Sequence, residues 1–200
     1  MNRNKNTLYL VQLSIFVAIV LLLAYTPLGY IHIFALEITP IMIPVTMGAI
    51  LLGPGAGAVL GGVFGLTSFG TCFGSSPFGA MLLSINPIST FITCVIARIL
   101  AGWLTGVVFQ QMYRYPSARK FSFAAAGLMG NVWNTIFFMG SIVLFFWNSS
   151  YIQELAAGMG TANPVIFILL FVGIQSVFST IVNLIVAGGV SKVLYPVLHR

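Results

Sequence analysis

Apolar residues run along this chain in six long blocks, and the polar residues gather between them. About 20 apolar residues are needed to cross the hydrocarbon core of a bilayer, and the blocks are of that order. The pattern predicts helices over 8–25, 39–52, 55–69, 86–111, 121–147 and 164–190. Thr26-Pro27-Leu28-Gly29 stops the first, and Gly53-Pro54-Gly55 is a turn between the second and third. Those two helices are short, about 15 residues each, so each recruits flanking residues or tilts. The third carries Gly or Ala at 55, 56, 57, 58, 61, 62 and 65, which suits close helix packing inside a bundle. The connections 26–38 and 70–85 are too apolar to be free linkers, and 26–38 reads as a loop lying at or re-entering the interface. The expected fold is an all-α membrane protein, one integral membrane domain over 1–200 with six transmembrane helices.

Composition agrees with the pattern. Of 200 residues 59% are hydrophobic and 5% charged, with a mean hydropathy of +1.07, against about 25% charged in soluble domains. The net charge of +6 therefore reports topology before it reports any polyanionic partner, and no nucleic-acid role is expected. Six spans place both termini on one side. That side collects Arg3, Lys5, Arg114, Arg119, Lys120, Lys192 and Arg200, while the other holds Glu37 and Glu154. The asymmetry predicts cytoplasmic N and C termini. The N-terminal run has no convincing cleavage site and reads as a retained first helix.

One cation is left over. Arg98 stands about twelve residues from either end of its span, where a charge costs roughly 2.5–3.5 kcal/mol on insertion scales and normally faces the protein interior or a polar cavity. Asn131 and Asn134, three apart and so on one helical face, lie in the middle of the fifth span, and Gln175 lies about eleven residues into the sixth. These four polar groups fall near one level of the bilayer and must be hydrogen-bonded, to each other or to a ligand. One reading is interhelical glue, worth about 0.6–2 kcal/mol per contact. The other is a small-molecule pocket in which Arg98 meets an anion, because no span supplies an Asp or Glu; Glu37 reaches it only if its loop folds inward.

Other chemistry finds little support. Two acidic residues cannot build a carboxylate cluster for metal-assisted phosphoryl transfer. Cys72 and Cys94 show no metal-ligand spacing, and His32 and His199 stand alone, so no metal site, cofactor or catalytic residue is expected. A serine protease acting within the membrane needs a histidine on a span, and none has one. No Gly-rich phosphate cradle with a Lys is present. Asn86-Pro87-Ile88 and Asn163-Pro164-Val165 invite comparison with the half-helix motifs of water channels, yet each opens a full-length span, and an Asn cap followed by Pro explains both. A self-sufficient transporter or channel stays open as an alternative, although no internal repeat beyond these caps supports it.

The run from Ile43 to Leu66, IPVTMGAILLGPGAGAVLGGVFGL, together with span number, length and charge asymmetry, resembles the substrate-binding S-components of energy-coupling factor (ECF) vitamin transporters, and most of all the pantothenate-type members. The resemblance implies a high-affinity vitamin-binding subunit of a bacterial plasma-membrane importer of the ABC class. It implies association with a transmembrane coupling subunit and two ATPase subunits, and no catalysis by this chain itself. Ser14 and Ala18 resemble the small-residue step by which the first helix of these proteins meets the coupling subunit. The connections 26–38 and 70–85 would be lids over an outward-facing pocket near mid-membrane. Arg98 would pair with the vitamin carboxylate, Asn131, Asn134 and Gln175 would serve its polar groups, and Trp133 or Phe73 would pack its dimethyl portion. Folate-, pyridoxine- and riboflavin-type substrates stay open; folate would want a larger aromatic slot, and riboflavin gives Arg98 no clear task.

Overall fold

Two asparagine–proline pairs open the longest helices. Asn86 Oδ1 accepts from the Ile88 and Ser89 N–H groups at 3.1 Å each, and Asn163 Oδ1 accepts from Val165 N–H at 2.9 Å. Pro87 and Pro164 stand at the first helical position, where a missing N–H is harmless. Capping, not a pore motif, is what these tripeptides do locally.

The computed structural model describes residues 2–26, 31–33, 36–38 and 40–198. In chain order these form α1 (Asn2–Tyr25), a hairpin of β1 (Ile31–Ile33) and β2 (Leu36–Ile38), α2 (Met42–Leu51), α3 (Pro54–Thr71), α4 (Pro77–Ile85), α5 (Pro87–Arg114), α6 (Ser122–Phe146), α7 (Ser150–Gly158) and α8 (164–198). The class is helical, as expected. Among the described residues four helices are long and apolar enough to cross a membrane, namely Asn6–Tyr25, Pro87–Arg114, Ser122–Phe146 and Ser176–Val197, which makes this a multi-pass membrane protein. The second and third expected spans lack that signature. α2 has ten residues, about 15 Å of helix, and ends where Gly53 takes φ 100°, a left-handed value suited to glycine.

Three details depart from the sequence expectation. The connections 70–85 and 148–163 each contain a short helix, α4 and α7. Ser76 caps α4 through Gly79 N–H at 3.2 Å and Ser149 caps α7 through Ile152 N–H at 3.4 Å. Their nine residues apiece are too few to register as spans. The first connection carries the antiparallel pairing Ile31↔Ile38, His32↔Glu37 and Ile33↔Leu36, and residues 27–30, 34 and 35 lie outside the described residues. β2 runs beside α8.

Packing leaves a gap by design of its two ends. At one end Leu82, Met139, Ile142, Phe146, Ile152 and Phe167 join α4, α6, α7 and α8; at the other Ile50, Phe109, Phe123 and Ala126 form a cluster with Tyr113 and Tyr195 against it. Between them α3 and α5 touch backbone to backbone. A methyl group at Gly57 would overlap the Gly102 carbonyl, and one at Gly61 would overlap the Arg98 carbonyl. Close approach through small residues is how helices gain dispersion contacts where lipid offers no hydrophobic drive.

Candidate functional site

α5 is interrupted by one wide π-helical turn, Ile92–Ile96, of a kind found frequently at functional sites. Arg98 follows two residues later. Its Nη1 donates to the Cys94 carbonyl within that turn at 2.9 Å, so the guanidinium is drawn back along the helix. Phe64 of α3 and Phe138 of α6 flank it, with ring centroids 4.5 and 4.9 Å from Cζ. Each such cation–π contact contributes roughly 0.5–2 kcal/mol when desolvated. Arg98 is 8% exposed, and what it reaches is a cavity of about 680 Å³. It is the one charged side chain among the described residues lining that cavity.

α6 and α8 build the facing wall. Asn131 Nδ2 donates to the Ser176 carbonyl at 3.2 Å and to Thr180 Oγ1 at 2.8 Å. Thr135 and Ser176 share a hydroxyl–hydroxyl bond of 3.0 Å. Asn131 thus ties two helices together with both amide hydrogens and keeps Oδ1 as its remaining acceptor. One turn further along α6, Asn134 also lines the cavity, and its Oδ1 is buried with no hydrogen-bond partner among the described residues. Phe78, Tyr151 and Phe171 line the α4 and α7 end of the cavity, with Phe78 5.5 Å from Phe171 and 6.1 Å from Tyr151.

The structure therefore brings Arg98, Asn131 and Asn134 to one space. Gln175 lies on α8, but its side chain falls outside the described residues. Trp133 and Phe73 are not brought there. Trp133 stacks on Phe137 at 5.8 Å and packs toward the core of α1, α2 and α3, because neighbouring helical positions diverge by about 100° and the asparagines on either side already face the cavity. Phe73 is 70% exposed, edge-on to Phe69. Phe64, Phe138, Ser176 and Ser179 are among the lining groups that escaped the sequence reading. Phe138 was recoverable, since 131, 134, 135 and 138 form one i, i+3, i+4, i+7 stripe. Ser14 and Ala18 both lie on an exposed face of α1, and Ser14 Oγ is turned back onto the Leu10 carbonyl at 2.8 Å.

Residues 8–191 match the family model of the ECF transporter substrate-specific component. The chain belongs to that family. Two relatives share its length scale. This S-component is 30% identical over 205 residues to the pantothenate transporter PanT of Leuconostoc mesenteroides, covering 98% of this chain and 97% of the relative. It is 31% identical over 171 residues to the pantothenic acid transporter PanT of Lactococcus lactis, covering 77% and 84%. Membership assigns this S-component to transport, not to catalysis.

Proposed function

We propose that this S-component captures pantothenate from outside a bacterial plasma membrane and delivers it through an ECF module with a transmembrane coupling subunit and two ATPases. The observation that carries the ligand assignment is Arg98, flanked by Phe64 and Phe138 on the wall of a cavity that also presents Asn131 and Asn134. A volume of about 680 Å³ is within the ordinary range for small-molecule sites. Two relatives carry pantothenate in their names, and the chemistry agrees. Pantothenate has one carboxylate, one amide and two hydroxyls. The carboxylate takes a charge-assisted hydrogen bond from the Arg98 guanidinium. Asn131 Oδ1 and Asn134 Oδ1 accept from ligand donors, and Phe78 and Phe171 exclude water from the apolar middle.

Six membrane crossings with cytoplasmic termini fit this role, because they place the α4 and α7 end of the cavity outward. Purified protein should bind radiolabelled pantothenate, and Arg98→Ala should weaken binding at least tenfold while the protein stays folded, since a charged hydrogen bond contributes roughly 1.5–3 kcal/mol. Unchanged affinity in Arg98→Ala removes the site assignment.

A further inference from the structure

Three hydroxyls of α8 stand within five residues: Ser176, Ser179 and Thr180. Two have partners on α6. Ser176 Oγ bonds Thr135 Oγ1, and Thr180 Oγ1 accepts from Asn131. Ser179 differs. It is 8% exposed, it lines the cavity, and its Oγ is buried without a hydrogen-bond partner among the described residues. A helical serine ordinarily satisfies itself on a carbonyl one turn back, as Ser14, Thr67 and Thr105 do here at 2.7–2.8 Å. Leaving a buried hydroxyl unsatisfied is costly, and a native structure with such a group calls for a reason.

The neighbouring atoms say what would satisfy it. Asn131 has committed both amide hydrogens to α8, so it offers this part of the cavity an acceptor only. The buried atom of Asn134 without a partner is likewise its oxygen. Ser179 Oγ can accept as well as donate. The three residues line one cavity and each presents an oxygen that can accept, with the Ser179 hydroxyl also able to donate. Such a set suits a ligand hydroxyl, which donates one hydrogen bond and accepts another.

We propose that Ser179 is a specificity-determining residue that hydrogen-bonds an uncharged hydroxyl of the ligand in this cavity, so that the site selects a hydroxylated ligand. This rests on the reading of the cavity as the ligand site with Arg98 as its anion clamp. Ser179→Ala removes a single oxygen from a helix that needs nothing from it when empty, so folding is unharmed.

The experiment measures dissociation constants of wild type and Ser179→Ala, in detergent, for pantothenate and for two analogues that each lack one of its hydroxyls, alongside the thermal midpoint of each protein without ligand. A neutral hydrogen bond corresponds to about three- to tenfold in affinity. Wild type should bind one deoxy analogue that much more weakly than pantothenate. Ser179→Ala should bind pantothenate that much more weakly than wild type does, bind the same analogue as well as wild type does, and melt no lower when empty. Ser179→Ala that binds pantothenate like wild type, or that still binds that analogue more weakly than pantothenate, overturns the inference. So does a lowered midpoint without ligand, which would mark a structural hydroxyl. Wild type that ignores pantothenate altogether fails the ligand assignment itself, a different result from either.

Discussion

At the scale of single residues, buried amides and hydroxyls divide between holding helices together and, on the proposed function, serving the ligand, and mutation should read the first in stability and the second in affinity. Asn183, 2% exposed, donates to Thr46 Oγ1 at 3.1 Å and to the Gly127 carbonyl at 2.7 Å. One amide therefore fastens α8 to α2 and α6 at once. Asn183→Ala should lower stability by about 1–2 kcal/mol, read from unfolding in detergent, and leave pantothenate affinity within about threefold; a stability equal to wild type would show that the contacts are replaced elsewhere. Ser179 is the counter-example, a hydroxyl whose loss should cost ligand and not fold. Asn131 combines both services, since its hydrogens hold α8 and its oxygen remains for a ligand. This is why the two sequence readings of the mid-membrane amides, glue or pocket, did not exclude each other.

Among elements, legibility followed size and charge. Arg98, Asn131 and Asn134 could be found because a guanidinium and paired amides are conspicuous in apolar helices and because three-residue spacing fixes a common face. The serines of α8 could not, since isolated hydroxyls in membrane helices usually serve their own backbone. Trp133 was drawn to the site by depth, which gives the level of a residue but not its azimuth. α4 and α7 were missed because nine residues between longer blocks leave only a capping serine as signal, and the paired strands of the first connection have no alternation long enough to read. α1 was legible throughout. It docks through Leu13, Phe16, Val17 and Val20 and leaves Ser14 and Ala18 on its exposed side, where a small-residue step would let another helix approach. Ala18→Leu should abolish co-purification with the coupling subunit and uptake in reconstituted vesicles while pantothenate affinity stays within about twofold. Retained uptake would remove α1 from that interface.

For the whole molecule, the charge asymmetry and the packing point the same way. Tyr195 of α8 lies 4.9 Å from Tyr113 of α5 and 5.5 Å from Phe123 of α6, so the ends of α5 and α8 and the start of α6 share one face. Arg114, Arg119, Lys120 and Lys192 flank this aromatic cluster in sequence, and Arg119 donates to Tyr113 Oη at 2.6 Å. Clustering of cations at one end is the pattern expected of a cytoplasmic face. Alkaline phosphatase fused after residue 200 should be inactive and the same enzyme inserted within 148–163 active; the reverse activities would invert the molecule and close the cavity to the outside.

The contact between α3 and α5 carries this whole-molecule geometry into selectivity. Gly61 never meets the cavity, yet the carbonyl it abuts belongs to Arg98. The width of the cavity is therefore gauged from behind, by the missing side chain of a residue no ligand will touch. A methyl group at that position would press on the Arg98 carbonyl, so Gly61→Ala should alter the affinity for any ligand of this cavity.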